Sequence, residues 1–294
     1  MTSLTPVPAA DFDWSAATVP AAVVRRVLDA ATETDGAAPL DEAALLSLRH
    51  GLGSSTLWVA EDGGFAWHHD GAVDLVVAPE SRGRGLGSAL AEAAAAQPGA
   101  LTAWSHGNHP AAAVLAARHG LARVRDLWVM RRSLTDLPDL PVPADGIEIR
   151  TFEVGVDEEA WLALNAEAFA HHPEQGGLTR AGLDERLAEP WFDADGFLLG
   201  WRGDELVGYH WTKVHDDEPG APYGEVYVVG VSPRAQGEGL GKRLTLAGLH
   251  HLAGRGLAQV ILYVEADNAP AVAVYERLGF THAPADTHVQ YARP

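Results

Sequence analysis

The sequence predicts an α/β protein made of two consecutive domains of one design, and three observations carry that expectation. Strand-like and helix-like stretches alternate along all 294 residues, the order of an α/β fold. A β-branched run ends in Ser232-Pro233, and Gln236-Gly237-Glu238-Gly239-Leu240-Gly241 then opens an amphipathic stretch. Finally, VVAPESRGRGLGSAL repeats VGVSPRAQGEGLGKRL at constant offset, pairing Pro79 with Pro233, Arg82 with Gln236, Gly83 with Gly237, Gly85 with Gly239 and Gly87 with Gly241. Self-similarity on that scale marks a duplicated unit.

Residues 1–19 read as a short lead-in. Val23, Val24, Val27 and Leu28 recur at helical spacing, so 20–32 is expected to be helix. A break with Asp35-Gly36 precedes a second short helix over 41–49. Strands at 56–60 and 65–69 flank Glu61-Asp62-Gly63-Gly64, a hairpin signal. A strand near 73–78 leads into Arg82-Gly83-Arg84-Gly85-Leu86-Gly87 and an alanine-rich helix. A strand over 101–105, a helix over 109–118 and a strand over 124–131 follow. Residues 135–146, TDLPDLPVPADG, hold three prolines in a polar stretch and form the natural linker. The domains are therefore expected at 1–134 and 147–294. Beyond the linker the order recurs: a strand at 147–152, helices at 158–169 and 179–187, and a strand pair at 197–201 and 205–214. Then come a strand at 225–231, the glycine loop, a helix to about Gly254, a strand at 260–264, a helix at 269–278 and a last strand after Phe280.

Composition bounds the function. Charged residues at 21% and hydrophobic ones at 47% describe a folded globular chain. No apolar run approaches the ~20 residues of a membrane span. The N-terminal stretch MTSLTPVPAADFDW lacks the basic and apolar regions of a signal peptide, so the cytoplasm is expected. With no cysteine there is no disulfide, thiolate ligand or catalytic thiol. A net charge of −19, from 40 acidic and 21 basic residues, argues against nucleic acid or an anionic membrane as partner. A phosphorylated small molecule remains compatible. A glycine loop between strand and helix leaves unpaired N–H groups at a positive helix end, which suits a pyrophosphate.

These motifs resemble the GNAT acetyltransferase superfamily, whose phosphate loop has the pattern Gln/Arg-x-x-Gly-x-Gly, across nearly the whole chain. The segments FAHHPEQGGLT, GYHWTKVH, GEVYVVGVSP and LYVEADNAPAVAVYERLGF resemble in particular its mycothiol synthase family. The resemblance implies two tandem GNAT-like domains, each a central mixed β-sheet flanked by helices. It also implies acetyl-CoA as acetyl donor, no metal, and as acceptor the cysteine amine of cysteinyl-glucosaminyl-inositol; a monomer is expected. CoA would lie where the strand at 228–231 diverges from 262–264. Val229, Gly230 and Val231 would meet the pantetheine arm. Gln236, Gly237, Glu238, Gly239, Leu240, Gly241 and Lys242 would wrap the pyrophosphate, with Asn268, Ala269, Pro270, Ala271, Val272 and Ala273 on the other side. In the first half Leu75, Val76, Val77, Arg82, Gly83, Arg84, Gly85, Leu86 and Gly87 match the same segments.

Acetyl transfer to an amine needs a base for the ammonium and a proton for the departing thiolate. The resemblance casts Glu225 as general base and Tyr275 as general acid. It places Asp35, Glu174, Lys213, Tyr263 and Glu225 against the acceptor. On composition alone Glu174 and Asp35 are loop acids, Lys213 a solvated strand residue and Tyr275 a ring packed on the sheet. At constant offset Glu225 falls on Gly71; aligned from Asn108 and Asn268, Tyr275 falls on Leu115, or on Ala116 when aligned from the following glycine. The first domain is therefore expected to keep a cofactor-like site without catalysing. His171 and His172 are adjacent and read as loop, not metal ligands. Two other readings stay open: N-acetylation of a different amine or peptide N-terminus, and a non-catalytic acetyl-CoA sensor.

Overall fold

A computed structural model describes residues 4–16, 18–141, 146–170, 176–216 and 221–293. The chain divides into two compact units. The first gathers everything described up to Trp128 together with Glu265–Asp267 and the stretch from Ala283 onward, and the second holds Val129–Val264 and Asn268–His282. The last strand therefore belongs with the first half of the sequence.

The first unit contains β1 (Pro6–Val7), α1 (Val19–Asp35), α2 (Glu42–Arg49), β2 (Thr56–Ala60), β3 (Gly64–His69) and β4 (Ala72–Val77). It continues with α3 (Leu86–Ala95), β5 (Leu101–Ser105), α4 (Pro110–Arg118) and most of β6 (Ala122–Ser133). The second contains β7 (Ile147–Thr151), α5 (Glu158–Ala168), α6 (Arg180–Leu187), β8 (Phe197–Arg202), β9 (Glu205–His215), β10 (Tyr223–Val231), α7 (Leu240–Gly254), β11 (Gln259–Glu265) and α8 (Ala269–Arg277). The chain ends in β12 (Thr281–Arg293). Beyond the expected elements, the lead-in supplies β1, which pairs Pro6 with Trp58 on β2.

The strand order in the first unit is β1-β2-β3-β4-β5-β12, and in the second β11-β10-β9-β8-β7. Both sheets are mixed. Antiparallel hairpins connect β3 to β4 and β9 to β10. β4–β5 and β10–β11 run parallel, with α3 and α7 as the crossovers. The closing strand β12 lies antiparallel to β5, from Val289 opposite Ser105 to Arg293 opposite Leu101.

Alternation along the strands sends side chains into two layers. On one side of the first sheet, Leu57, Phe65, Trp67 and Val76 pack with Val24, Val27 and Leu28 of α1. On the other, Trp58, Ala66 and Val73 pack with Leu86, Leu90 and Ala94 of α3. The second unit repeats this, with Trp161 and Leu164 of α5 on Phe197, Leu199, Tyr209 and Trp211. Its other face packs Leu240 and Leu244 of α7 on Val207 and Ile147. The repeat extends to single contacts: a Cβ on Gly64 would meet Leu90 and Leu86 at 3.0 and 3.1 Å, and one on Gly208 would meet Leu244 and Leu240 at 2.8 and 2.9 Å. Trp161, with no exposed surface, meets Phe197, Tyr209 and Trp211 edge to face. Truncating such a residue to alanine costs about 3–5 kcal/mol.

One core residue makes stability depend on acid. His210 is fully buried on β9 with Nδ1 2.9 Å from the Leu244 carbonyl. Burial, and the nearby charge of His251, bring its pKa down to about 4. In the unfolded chain a histidine titrates near ~6.5. Its contribution is therefore fully present above that value and lost as pH falls toward about 4. Between pH 8 and pH 5 we expect a loss of about 2 kcal/mol from this group, read by urea titration, and a smaller loss in His210→Gln.

Candidate active site

The second unit's glycine loop has the geometry a phosphate cradle needs. Gly237 and Gly239 hold φ of 82° and 80°, and a Cβ on either would meet nothing within 4 Å. The loop backbone is thus open on its outer side and uses a conformation that glycine adopts cheaply. Gly239 caps α7, whose leading N–H groups have no acceptor within the helix. Gly241 lies close against β10, where its Cβ would stand 3.5 Å from Val231. Lys242 is exposed in the first turn. Glu238 is turned into an ion pair with Arg202, so the loop's one acid is neutralised.

The strand leading to this loop splits from its neighbour where the resemblance implied. Among the described residues, β10 and β11 pair at Gly224–Val260, Glu225–Ile261 and Val226–Leu262. The register of β10 on β9 then shifts between Val226 and Val228, so Tyr227 is an extra, bulged residue that bends the strand. Beyond it, among the described residues, Val228 to Val231 pair with β9 alone. That leaves the inner edge of Val229, Gly230 and Val231 as backbone for an extended ligand. On the far side of the split, Asn268 caps α8 by accepting the Ala271 N–H at 3.2 Å. Ala269 and Pro270 are exposed, and Ala271, Val272 and Ala273 partly so.

Strand register brings three of the expected residues to one face. Glu225 stands opposite Lys213 on β9 and Ile261 on β11, and Tyr263 lies two residues past Ile261 on the same side. Tyr263 is 44% exposed, whereas Glu225 and Lys213 are buried. Lys213 is thus not a solvated strand residue: its Nζ sits 4.6 Å from the Trp191 ring centre and 5.7 Å from that of Tyr227, a cation–π setting. Gly224 makes room for this level of the strand, since a Cβ there would strike Leu252 at 2.8 Å.

Sequence reasoning missed the partner of Glu225. His215 Nε2 lies 2.7 Å from Glu225 Oε2, and the imidazole stacks on Tyr223 at 4.6 Å. The signal was available in KVH, where positions 213 and 215 share a strand face. Tyr275 projects from α8, its ring edge to face with Phe280 at 5.8 Å. Loss of water around the phenol pushes its pKa up to about 12, and among the described residues its hydroxyl has no hydrogen-bond partner. Glu174 lies outside the described residues, as do His171 and His172. Among those described, no group of three or more His, Asp or Glu is placed to hold a metal ion. No helix there is long and apolar enough to cross a membrane.

The first unit keeps the loop but changes its surroundings. Gly83 and Gly85 hold φ of 73° and 86°, and a Cβ on Gly87 would lie 3.5 Å from Val77, matching Gly241 and Val231. Arg82, however, forms two 2.7 Å hydrogen bonds to Asp35 and gives its Nε–H to the Val77 carbonyl at 3.0 Å. These bonds and the guanidinium charge hold the Asp35 carboxyl below its usual range. The residue expected at a phosphate and the one expected at the acceptor thus engage each other. Arg84 stays exposed, as do Gly83 and Gly85, with Leu86 buried beneath. Leu75 and Val77 of β4 are half-buried and Val76 is buried.

Counting from Gly64–Val77 and Gly208–Val231, the bulge shifts the correspondence by one residue. The partner of Glu225 across the repeat is Ala72, opposite His69, rather than Gly71. A histidine–carboxylate pair does occur there, His69 with Asp74 at 2.7 Å, but at the level of Trp67, the counterpart of Trp211.

Comparison with known proteins agrees with this arrangement. The family model "Acetyltransferase (GNAT) family" matches residues 160–280, and "Acetyltransferase (GNAT) domain" matches residues 53–120. A Nocardioides protein named mycothiol acetyltransferase is 56% identical over 290 residues, covering 92% of this chain and 97% of its own. The protein of that name from Catenulispora acidiphila is 48% identical over 300 residues, covering 92% and 94%. Among solved structures, a GCN5-related N-acetyltransferase from Sphaerobacter thermophilus aligns over 99% of this chain and 95% of its own, with TM-score 0.69 and 25% identity. A tandem GNAT protein from the clavulanic acid biosynthesis pathway shares the fold at TM-score 0.71 and 23% identity, covering 99% and 98%. A glycine loop at a helix start, a split sheet beside it and a buried carboxylate on the splitting strand thus accompany similarity over 92% of the chain, and the chain belongs to the mycothiol acetyltransferase family, acetyl-CoA-dependent N-acetyltransferases of the GNAT fold.

Proposed function

We propose that the second unit transfers the acetyl group of acetyl-CoA to the cysteine amine of cysteinyl-glucosaminyl-inositol, the last step of mycothiol formation. The observation that carries this reading is the buried Glu225 on the strand that splits beside the open glycine loop. Acetyl-CoA supplies an activated thioester when bound. Gln236 to Lys242 hold its pyrophosphate, Val229 to Val231 align its pantetheine arm, and Asn268 to Ala273 flank it. Glu225 takes the proton that the acceptor ammonium must lose before the amine acts as a nucleophile. Tyr275 holds a proton for the sulfur that departs. A phenol with its pKa pushed up to about 12 stays protonated across the neutral range, the form a general acid requires. Lys213, Tyr263 and Glu174 serve the polyhydroxylated acceptor. The first unit, with Ala72 at the level of Glu225, does no chemistry, and the chain works as a cytoplasmic monomer without a metal.

The test is initial-rate measurement with cysteinyl-glucosaminyl-inositol against a panel of other amines. Brisk turnover of another amine with none of this acceptor would replace the reading. Binding of CoA without turnover of anything would make the chain a sensor. A companion variant, Tyr275→Phe, is expected to lose about 10²-fold in kcat. Because a raised phenol pKa keeps the proton on as pH rises, the wild-type rate should show no alkaline fall from this group below about pH 10.

A further inference from the structure

We infer that His215 is the positioning residue of the general base, fixing which oxygen of Glu225 faces the acceptor. The inference rests on the assignment of Glu225 made above. Glu225 is 7% exposed, and a carboxylate removed from water needs a compensating partner. His215 Nε2 supplies one at 2.7 Å from Oε2. An ionised carboxylate only accepts hydrogen bonds, so Nε2 carries the hydrogen and donates it. The donation engages Oε2 and leaves Oε1 as the oxygen for a substrate proton.

The imidazole is itself constrained. It lies on β9 two residues from Lys213 and is stacked nearly parallel to Tyr223 at 12°. Tyr223 is its register partner across the hairpin. The orientation of the base is thus set by two paired strands rather than by a free rotamer. Among the described residues, Lys213 stands directly opposite Glu225 and Tyr263 lies along β11, while the contact to Oε2 comes from His215. The first unit has no such arrangement at this level, since Ala72 stands there opposite His69.

Three variants of the full chain test this. His215→Phe keeps an aromatic ring for Tyr223 and removes the donor. Its kcat should fall about 10- to 100-fold with the KM for acetyl-CoA unchanged. His215→Gln returns an N–H donor and should recover most of the lost rate. Glu225→Gln is the reference. Should Glu225→Gln keep its activity, the base assignment itself is wrong. Should Glu225→Gln collapse while His215→Phe stays within about twofold of wild type, His215 is dispensable and the inference fails. Equal loss in both His215 variants also overturns it, since packing alone would then explain the pair.

Discussion

Glu225→Gln is expected to lower kcat by about 10²- to 10⁴-fold at neutral pH, the contribution of a positioned general base. The substitution is close in shape, and the amide oxygen still accepts the His215 N–H, so the strand and its buried partner remain satisfied. What disappears is the capacity to take a proton. The KM for acetyl-CoA should stay within about twofold, because Val229 to Val231 and the glycine loop are untouched. The pH profile separates this from a folding defect. Without the base, only acceptor molecules already deprotonated react, so the variant's rate should keep climbing with pH beyond the wild-type plateau. A rate near wild type, or a profile parallel to it, would remove Glu225 from the mechanism.

Gly239→Val should raise the KM for acetyl-CoA by about 30-fold, while Gly85→Val leaves turnover within about twofold. Both residues cap a helix from the left-handed region, at φ 80° and 86°. A β-branched side chain there costs ~1–2 kcal/mol in backbone strain. At Gly239 it also places methyl groups where the phosphates approach, and a loss of about 2 kcal/mol corresponds to about 30-fold. The strain is common to the two variants and the lost contact is not, which is why the pair is informative. Comparable rises in KM from both substitutions would show that the first unit's loop also serves the reaction.

Most of the fold was legible because its signals are local. Helical spacing at Val23–Leu28, the Glu61–Gly64 turn and the two glycine loops all act within a few residues, and the strands at 56–60 and 101–105 fall where expected. The site was half legible. Motif spacing located the glycine loops, and the family resemblance pointed to the splitting strand and to the segment beginning at Asn268. It did not reveal that Arg202 neutralises Glu238, that Asp35 occupies Arg82, or that Lys213 is enclosed by Trp191 and Tyr227. Those pairings join positions dozens of residues apart, or depend on strand register, which alternation alone does not fix. The bulge at Tyr227 shows why: one inserted residue moved the true counterpart of Glu225 from Gly71 to Ala72.

The return of β12 to β5 has a consequence for how the chain acquires its shape. Ser105 finds its β12 partner at Val289, so the sheet that begins to form earliest during synthesis stays open along β5 until synthesis has passed that residue. Pairings so distant in sequence close slowly, because the loop entropy is lost before the contact rewards it. The second unit, continuous apart from three residues of its neighbour, is free to form before that closure. A fragment ending near the proline-rich linker would therefore carry an exposed strand edge ready to pair with another molecule, and we expect it to aggregate where the intact chain does not.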